Sequence, residues 1–212
     1  MIWLKLSLLV AFLFSLSYFI LYFFKIYHYY RPRAQAKPRG EIKRGKIYAL
    51  TIGLLPWEKE STRRNWHIYI TGIVYHLSIS VAFFRLLALL LNWRLLSGQS
   101  TFFFLVVGTG CGLGLFFRRL MRVELRQLSL PDDYLANLLV DLFLLTGATS
   151  ILWPGAVISF LLSGLILILY LPLGKIRHCV FFVPSRLIFG HYFGLRAVLP
   201  PPGRFTWRTS LK

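Results

Sequence analysis

Five stretches of this chain are apolar for long enough to reach across a lipid bilayer, and nearly every charge lies in the links between them. A hydrocarbon core of ~30 Å offers no water to peptide groups, so a crossing chain must be helical or a closed barrel. About 20 apolar residues suffice for each helix. The spans read as residues 2–24, 66–93, 101–117, 134–153 and 155–178. The last rises about 34 Å at ~1.5 Å per residue, enough to cross. The first is longer than a signal-peptide apolar region and lacks a small-residue cleavage site, so it reads as a span. The expectation is an all-α integral membrane bundle of five transmembrane helices in one domain, 1–212. A basic arm (25–64) and an interfacial tail (179–212) complete it. The 57% hydrophobic content and mean hydropathy of +0.63 agree, since soluble domains are roughly 45–50% apolar.

The formal charge of +18 would suggest nucleic acid for a soluble protein. Here 22 of the 25 Lys and Arg fall in residues 25–64, 118–126 and 175–212, three segments that share one side of a five-span chain. The positive-inside rule puts that side in the cytoplasm, with the N-terminus outside and the C-terminus inside. Lipid, and not nucleic acid, is the expected partner of these charges. The outer links, 94–100 and the Trp153-Pro154 corner, are too short to hold a protein. Soluble partners are therefore expected inside, on the basic arm and the tail. Ser61 reads as the N-cap of the second span, and residues 31–46, rich in Lys and Arg with Pro and Gly, read as an irregular surface arm.

Much chemistry is excluded. The two cysteines, Cys111 and Cys179, form no CxxC or CxxCH and read as small packing residues. The chain carries no iron–sulfur ligand set, nucleotide motif or nucleophile triad. The third span holds "VGTGCGLG", in which Gly108 with Gly112, and Gly110 with Gly114, form two overlapping GxxxG patterns. Small residues let helix backbones approach closely, or let a backbone approach a flat cofactor.

Polar chemistry rests on five histidines. His28, His67 and His191 read as interfacial residues among aromatics and charges. His76 lies within the second span in "GIVYHLSIS", where an ionisable residue suggests function and a hydrogen bond to a neighbouring helix is the plainer alternative. His178 reads as the end of the fifth span, where a cation would also suit the helix C-terminus. Two imidazoles offered by two helices are how a b-type haem is held. Nine residues at 100° put His67, and likewise Arg85, on the opposite side of the helix from His76, so that if His76 faces the bundle His67 faces away.

At these residues the chain resembles a family. "YHLSIS" on the second span, "LPLGKIRH" closing the fifth, the proline soon after, and the C-terminus inside are similar to the gamma subunit of respiratory nitrate reductase. Membrane cytochrome b subunits of heterodisulfide-reductase-type complexes are similar too. The likeness covers the second to fifth spans and the tail from His178 to Pro200. It implies one haem b in a prokaryotic cytoplasmic membrane, with His76 and His178 as ligands, joining the quinone pool to a cytoplasm-facing iron–sulfur subunit. The positions matching the family's second pair of ligands are Leu86 and Phe160, both apolar, so a second haem is not expected.

Lys175 and Arg177, flanking His178, suit haem propionates or simply continue the positive-inside charge. Asp141, in "LLVDLFLL", is costly inside a membrane and needs a partner or a task. It reads as a proton path to quinone, a hydrogen bond to a haem ligand, or an ion pair, for which Arg85 is one candidate. On this reading the chain is an electron-transfer subunit whose substrate chemistry belongs to its partners. The alternative is a haem-free membrane anchor, assembly factor or transporter subunit.

Overall fold

The structure, a computed structural model, describes residues 1–29, 37, 39–55, 64–93, 96 and 98–197. The sequence-based N-cap at Ser61 and the tail beyond residue 197 lie outside the described residues. Among the described residues the secondary structure is helical: α1 (Ile2–Tyr29), α2 (Ile42–Leu50), α3 (Trp66–Leu90), α4 (Gln99–Met121), α5 (Val123–Leu128), α6 (Pro131–Leu152), α7 (Val157–Tyr170) and α8 (His178–Leu195). Among these, α3, α4 and α6 are long and apolar enough to cross a membrane, as is Ile2–Ile26 of α1; a fifth span exists if Pro154–Tyr170 and Lys175–Leu195 count as one broken span.

The chain groups into two compact units, each discontinuous in sequence. The first, Met1–Arg31 with Asn65–Arg177, contains α1 and α3 to α7. Its core is built by Leu8 and Ala11 of α1, Ala82 and Leu86 of α3, Leu105 of α4, Phe143 and Leu144 of α6, and Phe160 and Leu167 of α7. Small hydroxyls stitch the helices, because an unpaired polar group in hydrocarbon costs free energy. Ser15 Oγ donates to the Ile168 carbonyl at 2.7 Å, Ser78 Oγ to the Phe104 carbonyl at 2.9 Å, and Thr146 and Ser163 pair at 2.7 Å.

The helices of this unit alternate in direction. Lys5 of α1 donates to the Leu89 carbonyl and Asn92 Oδ1, both at 2.6 Å, joining the start of α1 to the end of α3. At the opposite end Asp133 meets Lys175 at 2.6 Å and Arg119 at 3.3 Å. Arg118, Arg119, Arg122, Arg126 and Lys175 thus belong to one end of this unit and Lys5 to the other.

The turn between α6 and α7 falls at Trp153, whose extended backbone (φ −126°, ψ 116°) is what a residue before proline prefers. The fifth span differs from expectation. Its α-helix ends at Tyr170, not at His178. Pro172 has no N–H to continue the ladder, and the Leu173 and Gly174 amides both fold back onto the Tyr170 carbonyl at 3.0 and 2.9 Å. Gly174 leaves room for the Tyr170 ring, which a Cβ there would have to displace.

The second unit comprises 32–64 and 178–212. The basic arm is not irregular throughout: α2 forms within it and packs on α8 through Gly45, Gly190 and Gly194. Backbone meets backbone there, and the Arg39 and Gly40 amides bond the Leu195 carbonyl at 2.9 and 3.2 Å. Gly45→Val should therefore open this pair, because any Cβ at Gly45 overlaps the Gly190 carbonyl oxygen. Hydrogen exchange should show amides 42–50 losing protection while the amides of α3 and α6 keep theirs.

Candidate functional site

The residues singled out in the sequence separate into four places. His76 lies midway along α3, but on its exposed face, with Ile73, Leu77 and Phe84. The inward face is taken by Tyr75, Ser78, Ala82, Arg85 and Leu86. The helical arithmetic holds, since Arg85 is turned away from His76, yet the helix is rotated opposite to expectation: Arg85 faces in and His76 out. His67 is also exposed, near the start of α3 and edge-on to Trp66. His76 Nδ1 is 2.6 Å from the Gly72 carbonyl oxygen, so that nitrogen carries the proton in the neutral ring. Gly72, one turn earlier, has open space where a Cβ would stand.

His178 opens α8 in the second unit and is exposed, not the end of a transmembrane helix as expected. Arg177 and Lys175 are exposed beside the preceding turn, and Lys175 is engaged by Asp133. Asp133 also accepts from the Leu130 amide at 2.9 Å, closing the start of α6. Tyr170 Oη donates to Asp132 Oδ1, fixing the end of α7 to the same corner. His191 is half-buried in α8, and Cys179 is exposed while Cys111 packs against the core.

Asp141 is 4% exposed, and its partners are neither a cation nor a histidine. Tyr75 Oη donates to Oδ1 and Asn137 Nδ2 to Oδ2, both at 2.8 Å. Asn137 Nδ2 also lies 3.3 Å from the Gly112 carbonyl oxygen, so three helices meet at one carboxyl group. The pairing considered for Arg85 and the bond to a haem-ligand histidine are thus replaced by neutral donors from α3 and α6. Sequence reasoning missed Tyr75 and Asn137, although Asn137 stands four residues before Asp141, on the same helical face.

Arg85, 3% exposed, is solvated instead by the Leu96 carbonyl at 2.7 Å and by Ser150 Oγ at 3.0 Å. Its guanidinium stands 5.9 Å from the centre of the Phe160 ring. Phe160 stacks on Phe143 at 5.0 Å, and Leu86 packs over Gly164. Leu86 and Phe160, the positions where the resemblance lacks ligands, are filled core. The two glycine patterns also separate: Gly108 and Gly112 receive Ser78, Tyr75 and Asp141, whereas Gly110 and Gly114 face open space.

No family model, curated protein sequence or solved structure matches this chain.

Proposed function

We propose that this chain is the membrane haem b subunit of an oxidoreductase complex. It relays electrons between the quinone pool and a cytoplasm-facing iron–sulfur partner, across a prokaryotic cytoplasmic membrane with its N-terminus outside. The observation that carries the reading is the placement of His76. An imidazole halfway along an apolar span, on the exposed face of its helix, is an ionisable group at membrane depth, where such residues mark function. Its Nδ1 is engaged by Gly72, the arrangement that sets Nε2 as the coordinating nitrogen and holds the ring in one orientation.

By the resemblance, His76 and His178 would be the axial ligands of a b haem, and Arg177 and Lys175 the cations for its propionates. The haem, when bound, supplies one-electron transfer. The chain supplies orientation, through Gly72 on His76, and anchoring of the Lys175 turn through Asp133. The packed Leu86 and Phe160 support one haem and not two. A second reading, a haem-free anchor, assembly factor or transporter subunit, is favoured by the packed core at Leu86 and Phe160; there a neighbouring subunit would pack on the face that carries His76.

A pyridine haemochrome assay on purified protein separates the two, with about one haem per chain expected from the two axial ligands. His76→Ala and His178→Ala should each abolish the low-spin haem spectrum with the protein still inserted, and His67→Ala should leave it unchanged. Well-folded protein without haem would falsify the cytochrome reading. Loss of haem in His67→Ala but not in His76→Ala would overturn the ligand assignment.

A further inference from the structure

The second unit carries the surface on which the sequence places a soluble partner, and its exposed apolar side chains point to a different occupant. Its longer helix, α8, has 18 residues, a rise of about 27 Å. Pro184 lies inside it, and α8 does not pass alone as a membrane span. Yet it is apolar over much of its circumference: Phe182, Val183, Leu187 and Phe189 are exposed at 42, 51, 36 and 39%. One stripe at helical spacing combines rings with a cation. Arg186 lies 5.5 Å from the centre of Phe182 and 6.0 Å from that of Phe189, which stacks on Phe193 at 4.0 Å. The partner helix α2 adds Lys43, Arg44 and Lys46 beside exposed Ile47, and Lys37, Arg39 and Arg196 extend the positive charge. Glu41 is the one acidic side chain among the described residues of this unit.

We propose that the α2–α8 pair is an interfacial module that binds the anionic surface of the bilayer, with its aromatic and aliphatic side chains in the acyl boundary and its cations on phospholipid headgroups. Both halves of the surface must be satisfied together. Contiguous exposed phenylalanine and valine favour hydrocarbon, and the positive charge of Lys43, Lys46 and Arg186 favours anions. A helix at a lipid interface meets both within about 5–10 Å of depth. Lys and Arg near an anionic leaflet are attracted to it, and Arg186 can extend its guanidinium outward while its stem stays on the rings. An acidic protein would match the charge but not the exposed apolar side chains. The glycine contact between the helices serves this role by holding them as a thin, rigid pair.

The test is hydrogen exchange on the full chain in nanodiscs of phosphatidylcholine alone and of phosphatidylcholine with phosphatidylglycerol. Amides of α2 and α8 should exchange several-fold more slowly with phosphatidylglycerol present, and the difference should vanish in high salt. The variant Lys43→Gln/Lys46→Gln/Arg186→Gln should lose the difference while α3 and α6 exchange as before. Equal exchange in the two lipids would overturn the proposal without involving any misfolded variant. So would protection that arises only when an acidic protein is added. Neither outcome depends on haem content, which is measured separately.

Discussion

Gly112→Leu should be among the most damaging single substitutions in the membrane bundle. Any Cβ at this position overlaps Asp141 Oδ1 and crowds the Tyr75 ring. The added side chain therefore forces α4 away from α3 and α6 at the point where the Tyr75–Asp141–Asn137 bonds are made. Overpacking alone costs about 1–3 kcal/mol, and each interhelical hydrogen bond lost in a membrane adds roughly 0.6 kcal/mol or more. A loss of about 3 kcal/mol is expected, read as a lower midpoint of SDS-driven unfolding. Gly110→Leu, two residues away on the same helix, should be near neutral because its Cβ meets open space. Equal effects at the two positions would mean that the glycines act through backbone flexibility and not through contact.

The same pair of glycines shows what a sequence of this kind reveals. Hydropathy locates α1, α3, α4 and α6 because their apolar length is set by the bilayer. It does not say which side of a helix faces protein, since a helix apolar all round has no solvent-facing side to mark. Helical angles alone therefore fix His76 only relative to Arg85 and leave open which of the two faces the bundle. The usable signal was the stripe Tyr75, Ser78, Ala82 and Arg85, small or polar residues at turn spacing, which is how membrane helices mark a protein-facing surface. The pattern at Gly108 and Gly112 falls on the corresponding face of α4.

The fifth span was read through its own stop signal. Apolar residues continue past His178 into "CVFFV", so hydropathy alone sees no end. Pro172 and Gly174 provide it, one by removing a donor and the other by admitting the Tyr170 ring. The arm posed the reverse problem. "IKRGKIYAL" is basic and contains a glycine that should weaken a helix, yet it is helical because Gly45 is the contact with Gly190 and Gly194. That stabilisation is tertiary and is not written in the local sequence. The Asp133–Lys175–Arg119 corner was likewise hidden, since its members lie far apart along the chain.

Asp141→Leu and Asp141→Asn should part company, and the difference separates structure from chemistry. Leucine leaves the Tyr75 hydroxyl and the Asn137 amide without acceptors in the interior, which costs about 2–3 kcal/mol. Asparagine keeps an acceptor for Tyr75, and the Asn137 amide can turn to face the new NH2, so the loss should stay within about 1 kcal/mol. Asparagine cannot take up a proton. Quinone reduction consumes protons and quinol oxidation releases them. If Asp141 serves that exchange, the Asn variant should carry normal haem with an unchanged spectrum and turn over quinone several-fold more slowly. Because Tyr75 immediately precedes His76 and bonds to Asp141, a second outcome is informative. A shifted haem potential in the Asn variant, reproduced by Tyr75→Phe, would identify the network as what orients α3 beneath His76, the proposed ligand. Normal haem and normal turnover in the Asn variant, with instability in the Leu variant, would leave the carboxylate a hydrogen-bonded clasp between α3 and α6 and remove it from the proposed electron transfer.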